Sequence, residues 1–370
     1  MAALVVGGRW SAVGGRRTVV GGRGALSDVA AMLRVRGGER SRCRWRGRGV
    51  VIGSRGGWSG LGWEGWKDLG DIRRRLDQGA DPEEWGGGRP LHRAAAFGSP
   101  EVVTELARRV ADVDALENGT TALWEAVLAG RPDNARALAE AGADPWRPQI
   151  GGWSPGRLSL AGPTPDMVVK PDGERGLSGA ERTVAREGRR LVAVLGDVYY
   201  EGLGLACVAG IDAEDAMRRL AATPTEGEEL EKLLEEPWDC DADESLSIVG
   251  VTTVPGGCIV TQPWGYAPSM PGVVKRLSAG TVCYGLYANP KSGNQGSIVR
   301  DGEVAGWDLH PGGGPDVNDT SEEVLASYLY RYNGLAYAIA FAGLRPTDAR
   351  AVVGPPDAWV ELPQRDYWED

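Results

Sequence analysis

The sequence predicts a multidomain protein of the α+β class, in which a short array of paired helices precedes a domain with helices and an antiparallel β-meander. Two observations predict this division. A motif recurs at spacings of 31 and 32 residues between positions 63 and 162. Short apolar segments separated by turn residues follow from position 247. Hydrophobic residues make up 42% of the 370-residue chain, so both parts can bury a core.

The first 62 residues differ in composition from the rest. Residues 1–60 contain 15 Gly and 12 Arg but two acidic residues, and they show no apolar periodicity. Because such a chain cannot offset its ordering entropy, we predict that segment 1–62 is disordered. Three interpretations stay open: a translation start after residue 31, at Met32 or a non-AUG codon before Trp63; an unstructured tail; or an Arg-Gly-rich RNA contact. The abrupt change of composition near residue 60 favours the first.

The remainder of the chain is acidic. Beyond residue 60 it carries 29 basic and 49 acidic residues, which gives a net charge of −20. Charge of this sign repels nucleic acid and anionic membranes, so we expect neither as a partner. Arg outnumbers Lys by 36 to 5, which indicates a GC-rich genome and an actinobacterial source.

Two features favour a cytoplasmic location. The apolar stretch 334–344 is too short to span a bilayer, and the apolar run 2–6 is too short for a signal peptide. The five cysteines are widely spaced and form no Cys-x-x-Cys motif, which favours a reducing compartment over a disulfide scaffold.

The repeated motif defines an array over residues 63–162. Similar helix ends occur at 79–82, 110–112 and 142–145, where an Ala-Asp pair closes each unit. Glycines at the first and third of these ends supply the left-handed residue that a helix C-terminus needs. The spacing of the three ends therefore predicts stacked helical units of about 32 residues.

Two related segments, 90–98 and 121–130, lie between these ends and share a Leu-x-x-Ala pattern with the same spacing. Together with the closing motif they resemble the ankyrin repeat, with good repeats at about 84–115 and 116–147. The resemblance implies that His92 orders a turn by hydrogen bonding. About two and a half repeats are present, so we expect the array to lean on residues 163–185 or on the second domain.

The resemblance also implies that the array binds a protein partner through its turns and first helices. Repeats of this kind supply a rigid, preformed surface. A mixture of aromatic and charged side chains on the predicted turns and first helices fits a protein interface. The candidate residues are Glu83, Glu84, Trp85, Arg93, Asn118, Glu125, Trp146 and Arg147.

A Pro- and Gly-rich linker is predicted over 163–185, followed by an α+β domain over 186–370. Helical and strand patterns and the Asp301-Gly302 turn predict a sheet of four or five strands. The predicted elements are a helix over 191–207, a hairpin of strands 247–254 and 258–262, a strand over 282–287, a hairpin of strands 297–300 and 303–307, a helix from Ser321 towards Phe341, and a short last helix opened by Thr347.

This second part resembles, over about 190–310, a domain of unknown function found in actinobacterial proteins, and the resemblance implies no activity. The sequence predicts no catalytic, cofactor-binding or metal-binding residues. The acidic run at 239–244 lacks the Gly and Glu spacing of a calcium loop, and no nucleophile motif accompanies His310 beside Asp308. We therefore predict a non-enzymatic protein-binding module without a cofactor. Two alternatives are an immunity-type protein that neutralises a cognate toxin, and an enzyme with its site in the C-terminal domain.

Overall fold

The computed structural model describes residues 57–84, 88–200, 202–237, 242–291 and 293–368. The chain divides into two units, Met1–Ser54 and Arg55–Asp370, and the described residues all belong to the second. Most of the predicted 1–62 segment, and Trp85 among the candidate residues, lie outside the described residues. None of the helices in the described ranges combines the length and the hydrophobicity that a membrane span requires.

The N-terminal part of the second unit is a helical array. First helices pack on first helices and second helices on second helices, so the units stack in register. Proline occupies the first turn of the helices that begin at residues 90, 100, 132 and 155, where its missing N–H leaves no helical bond unmade. The helices are α1 (Leu69–Asp77), α2 (Pro90–Phe97), α3 (Pro100–Ala107), α4 (Ala122–Leu128), α5 (Pro132–Glu140) and α6 (Pro155–Ser159), with short 3-10 helices at Trp63–Lys67 and Ile150–Gly152.

The C-terminal part combines helices with one antiparallel sheet. Its helices are α7 (Gly179–Leu195), α8 (Ala213–Leu220), α9 (Glu228–Glu235), α10 (Ala242–Ser247), α11 (Pro271–Leu277), α12 (Ser321–Leu329), α13 (Gly334–Phe341) and α14 (Arg350–Val353). Its strands are β1 (Leu203–Ala209), β2 (Thr223–Pro224), β3 (Ile248–Val254), β4 (Gly257–Gln262), β5 (Val282–Ala288), β6 (Gln295–Arg300), β7 (Glu303–Asp308) and β8 (Ala358–Glu361).

The eight described strands form one sheet in the order β2-β8-β3-β4-β1-β5-β6-β7. Helices cover both faces of the sheet. Alternate residues of the central strand β1 therefore lie in two separate cores, one on each face. Ala206 and Val208 pack with α8 and α11, whereas Leu205 and Cys207 pack with α7, α13 and α14. The α+β class predicted from the sequence is confirmed, with a larger sheet than the predicted four or five strands.

The array and the C-terminal part share a hydrophobic core. Val324 and Leu325 of α12 are buried in the same cluster as the helices of the array. At the opposite end of this cluster, Trp58 is fully buried and stacks on Trp66, with ring centroids 5.7 Å apart. The core of the array therefore includes a residue before position 63. At the other end, α12 covers the last helices of the array, in line with the expectation that so few repeats need support from the second domain.

The junction between the array and α12 contains a buried polar cluster. The Trp153 indole Nε1 donates to the Ser321 carbonyl at 2.9 Å, and the Arg157 guanidinium lies 3.9 Å from the centroid of the Trp153 ring. Arg157 also forms an ion pair with Glu181 at 2.5 Å. Burial acts against the charged form of Glu181, but hydrogen bonds from the Ser178 amide and Arg157 outweigh it and lower the pKa of this carboxyl. Glu181 thus joins the start of α7 to the last helix of the array.

The predictions for two helices are wrong. The predicted helix 191–207 ends at Leu195 and is followed by strand β1, because Gly196 adopts a positive φ of 62° and β1 is buried on both faces. The predicted helix from Ser321 to Phe341 is two helices, α12 and α13, separated by a turn in which Tyr332 has a φ of +62°. Helix α7 also begins at Gly179, inside the segment 163–185 predicted as a linker.

Candidate functional site

The turns that precede the first helices form a continuous row, which we call the tip row and define as residues 81–84, 111–119 and 144–149. Carboxylates of one turn accept hydrogen bonds from the backbone of the next. Glu83 Oε1 accepts from the Ala111 amide at 2.6 Å, and the Asp114 carboxylate accepts from the Asp144 amide at 3.0 and 3.1 Å. Each turn is therefore fixed relative to its neighbour by charge-assisted bonds.

A second set of hydrogen bonds links the tip row to the starts of the first helices. Glu117 Oε2 accepts from the Arg89 amide at 2.9 Å, and Gln149 Oε1 accepts from the Thr121 amide at 2.9 Å. Both pairs are separated by 28 residues, which is nearly one repeat. Equivalent positions of successive units therefore form the same hydrogen bond, from the backbone amide before a first helix to a side chain in the next turn.

The negative charges of the tip row affect one another. Partial burial, together with the charges of Asp144 and Asp112, raises the pKa of the Asp114 carboxyl. The hydrogen bonds that Asp114 accepts from the Asp144 amide act in the opposite direction but do not cancel this effect. Acidic side chains therefore crowd the second and third turns.

His92 lies beneath the tip row and is 5% exposed. Its Nε2 lies 3.0 Å from the Thr120 carbonyl oxygen, a contact that joins the first turn of α2 to the next turn of the array. Burial lowers the pKa of His92 below its usual 6.5, although the Thr120 carbonyl and the Glu117 carboxylate favour the charged ring. The neutral ring is thus the form that the folded array prefers.

The candidate residues fall into three groups. Exposed side chains on the turns and the first helix are Glu84, Arg93, Asn118 and Arg147. Half-buried side chains that form hydrogen bonds with other parts of the fold are Glu83, Glu125 and Trp146. Trp85 lies outside the described residues, so its place on the surface stays a prediction.

The half-buried group has structural contacts of its own. Glu83 forms an ion pair with Arg89 at 2.7 Å, in addition to its bond with the Ala111 amide. Glu125 accepts a hydrogen bond from the Thr120 hydroxyl at 3.1 Å. The Trp146 indole donates to the Val169 carbonyl at 3.3 Å, and its ring packs against Gly156, where a Cβ atom would lie 2.9 Å from it.

The surface also contains two exposed apolar side chains that are not among the residues predicted from the sequence. Leu116, on the second turn, is 46% exposed, and Val317, in the loop before α12, is 54% exposed. A Cβ atom on Gly119 would lie 3.3 Å from Val317 Cγ1, so Val317 packs beside the second turn. The pattern of the repeat could have placed Leu116 on a turn, but no local signal connects Val317 to a residue almost 200 positions earlier.

The C-terminal part contains Asp308 and His310, the neighbouring acid–base pair in the sequence. Asp308 accepts hydrogen bonds from the Tyr284 hydroxyl at 2.8 Å and the His310 amide at 3.0 Å, while the His310 ring is exposed. No group of three or more His, Cys, Asp or Glu residues in the described ranges could hold a metal ion. Asp239 and Asp241 of the acidic run lie outside those ranges.

The cysteines at 207, 258 and 283 are buried, and burial raises the pKa of each thiol, to about 12 for Cys258. A thiol in this state is a poor nucleophile, because the thiolate is the reactive form. These residues therefore act as small apolar side chains of the sheet.

Comparison with known families identifies the array. Residues 68–149 match the family described as ankyrin repeats, in three copies. A search of the curated proteins finds no match to the chain. The family match covers the helices α1 to α5 and the tip row, but not the sheet.

Proposed function

Because residues 68–149 form an ankyrin-repeat domain, a kind of module that generally binds other proteins, we propose that this protein acts by binding a protein partner through the tip row and the first helices. The contact residues we propose are those predicted from the sequence: Glu83, Glu84, Trp85, Arg93, Asn118, Glu125, Trp146 and Arg147. Leu116 and Val317 extend this surface with exposed apolar area.

The observation that carries the proposal is the hydrogen-bond ladder along the tip row. The bonds between Glu83 and Ala111 and between Asp114 and Asp144 hold the backbone of successive turns in place without a partner. A surface that is already rigid loses little conformational entropy on binding, so more of its contact energy appears as affinity. Exposed side chains such as Glu84, Asn118 and Arg147 project from this fixed backbone.

The composition of the surface limits the kind of partner. Acidic residues adjoin the exposed apolar side chains in the sequence, Glu117 next to Leu116 and Asp316 next to Val317. An apolar centre with a polar rim is the usual anatomy of a protein interface. We infer that the partner presents apolar side chains flanked by charged residues of both signs, because Arg93 and Arg147 are exposed on the same surface as the acidic groups.

Site-specific crosslinking tests the proposal. A photoreactive amino acid replaces Glu84 or Asn118 in the tip row, and matched chains carry it at Glu101 or Glu140, which are also exposed but lie on the second helices α3 and α5. We expect one discrete crosslinked protein from both tip positions and none from the control positions. The proposal fails if tip and control positions give the same crosslinks, or if only the control positions react.

Charge reversal at the same positions separates binding from folding. Glu84→Arg should weaken binding of the captured protein by about tenfold, as loss of an interface contact does. Glu101→Arg carries the same charge change on α3 and should leave affinity unchanged. Both side chains are exposed, so each variant should keep its stability within about 0.5 kcal/mol. Equal affinities for the two variants would contradict the proposed surface.

A further inference from the structure

A cleft of about 200 Å³ lies where the array meets the C-terminal part. Leu128 at the end of α4, Pro163, and Leu329 at the end of α12 supply apolar walls. Arg189 and Arg331 are the charged residues among the described residues that line it. The cleft therefore combines a small apolar volume with two positive charges in a body whose overall charge is negative.

The Arg189 guanidinium, in the wall of the cleft, forms hydrogen bonds that hold the fold together. Its Nη1 donates to the carbonyl oxygens of Ala161 and Gly162, which follow the last helix of the array. These bonds satisfy carbonyl groups that a helix end leaves without partners. Part of the Arg189 side chain is thus used by the fold.

Arg331 differs from Arg189, because two of its three guanidinium nitrogens form no hydrogen bond with the described residues. Its Nε and Nη1 atoms are buried and have no hydrogen-bond partner among the described residues. Its Nη2 donates to the Tyr332 hydroxyl at 2.7 Å. Buried donors of a charged group are costly when they have no partner, so a fold keeps them only where something offsets that cost.

Tyr332 covers this guanidinium in an unusual conformation. Its ring centroid lies 4.7 Å from Arg331 Cζ, and its side chain is otherwise 73% exposed. Its φ of +62° is disfavoured for a bulky residue, and the Tyr332 amide is held by the Gly312 carbonyl at 2.8 Å. Strained backbone next to a cleft is characteristic of ligand-binding segments. Rotation of this exposed ring would free the Arg331 Nη2 atom, which donates to the Tyr332 hydroxyl, for another acceptor in the cleft.

We propose that this cleft binds a phosphomonoester group, with Arg331 as the main anion-binding residue, Arg189 beside it and Tyr332 as a movable cover. A phosphate monoester carries about −1.5 to −2 charges at pH 7, which matches two guanidinium groups better than a carboxylate does. Its oxygens accept the parallel N–H bonds that a guanidinium offers. The volume suits a phosphate with a short organic part rather than a larger ligand.

Two sources can supply this group: a free small phosphomonoester, or a phosphorylated side chain of a bound protein. Calorimetric titration of the full chain with O-phospho-L-serine, with a phosphoserine peptide and with the unphosphorylated peptide distinguishes them. Equal affinity for the first two probes assigns the site to small phosphomonoesters. Much tighter binding of the phosphopeptide, with none of the unphosphorylated peptide, assigns it to a phosphorylated protein segment.

Substitutions test the assigned residues with the same probes. Arg331→Gln should weaken binding by at least about tenfold, as loss of charged hydrogen bonds does. The matched control is Arg186→Gln, which removes the same charge from an exposed position of α7 outside the cleft and should have no effect. Tyr332→Ala should tighten binding, because the ring no longer competes for Arg331.

The melting temperature shows that these variants fold. Arg331→Gln should melt at or above the wild-type temperature, since it removes buried donors that have no partner. The proposal is overturned if no phosphate probe gives saturable binding, or if Arg331→Gln and Arg186→Gln bind equally well. It does not depend on the tip row, so either proposal can fail without the other.

Discussion

The ankyrin array and the sheet use opposite means to bury a core. In the array, each helix packs on the equivalent helix of the next unit, about 30 residues away. In the sheet, β3 pairs with β8, so Val249 lies opposite Val360, more than 100 residues later. The array is thus built by repetition of local units, whereas the sheet exists only once distant segments meet. This difference shows that the array could grow or shrink by whole units but the sheet could not.

The array and the C-terminal part share one hydrophobic core where they meet. The array ends not on a polar capping unit but on α12, whose Val324 belongs to the core of the array. Few repeats suffice here, because the C-terminal part covers the apolar face that a further repeat would otherwise bury. The dependence of the array on this junction can be measured.

Trp153→Ala should have the largest effect on stability. The Trp153 side chain is fully buried and donates a hydrogen bond to the Ser321 carbonyl, so its removal leaves a cavity at the junction. We expect a loss of about 3–5 kcal/mol in the free energy of unfolding, measured by urea denaturation. Trp63→Ala is the control, because Trp63 is 65% exposed, and it should cost about 1 kcal/mol or less. Similar losses for the two variants would contradict the structural role of the junction.

The Arg157–Glu181 ion pair should have the next largest effect. Arg157→Met leaves the Glu181 carboxylate without its main cation in a partly buried position, and we expect a loss of about 3 kcal/mol. The double variant Arg157→Met, Glu181→Gln should recover much of this loss, because no charge is then left unpaired. If the double variant is as unstable as the sum of the single variants, the two residues do not act as a pair.

His92 should have the smallest effect, and one that depends on pH. His92→Ala removes the contact with the Thr120 carbonyl and should cost about 1 kcal/mol at pH 7.5. Because the pKa of His92 is lowered in the folded state, the unfolded chain takes up the proton first as the pH falls. The contribution of His92 to stability is therefore present above pH 6.5 and is lost as the pH falls through the lower pKa that His92 has in the folded state. Urea titrations at several pH values should show that His92→Ala lacks this component; an identical pH dependence in both proteins would contradict the assignment.

Local signals explain what could be predicted from the sequence. The Asp301-Gly302 turn predicted the β6–β7 hairpin, which the structure confirms with positive φ angles of 48° and 80° at these two residues. The closing Ala-Asp motifs likewise placed the turns of the array. In both cases a few neighbouring residues determine the conformation of the backbone.

The remaining features depend on distant partners. Strand β1 is buried on both faces, so its residues show no polar alternation, and the pattern of this apolar run therefore predicts a helix instead of a strand. Strand β8 owes its place to β3, which no nearby residue encodes. On the candidate surface, Glu83 and Trp146 lie on turns, but their contacts with Ala111 and Val169 join residues 28 and 23 positions apart, which no local pattern predicts.

Amide hydrogen exchange in the full chain with Val324→Ala tests most directly whether the array and the C-terminal part share one core. Val324 is fully buried against the array, so this change should lower stability by about 2 kcal/mol. If the core is shared, amides of α4 and α5 should lose protection by the same factor as those of α12. The control Val353→Ala, at a residue 53% exposed on α14, should change none of them. Loss of protection in α12 with unchanged protection in α4 and α5 would show that the array is stable without α12 and that the two parts do not share one core.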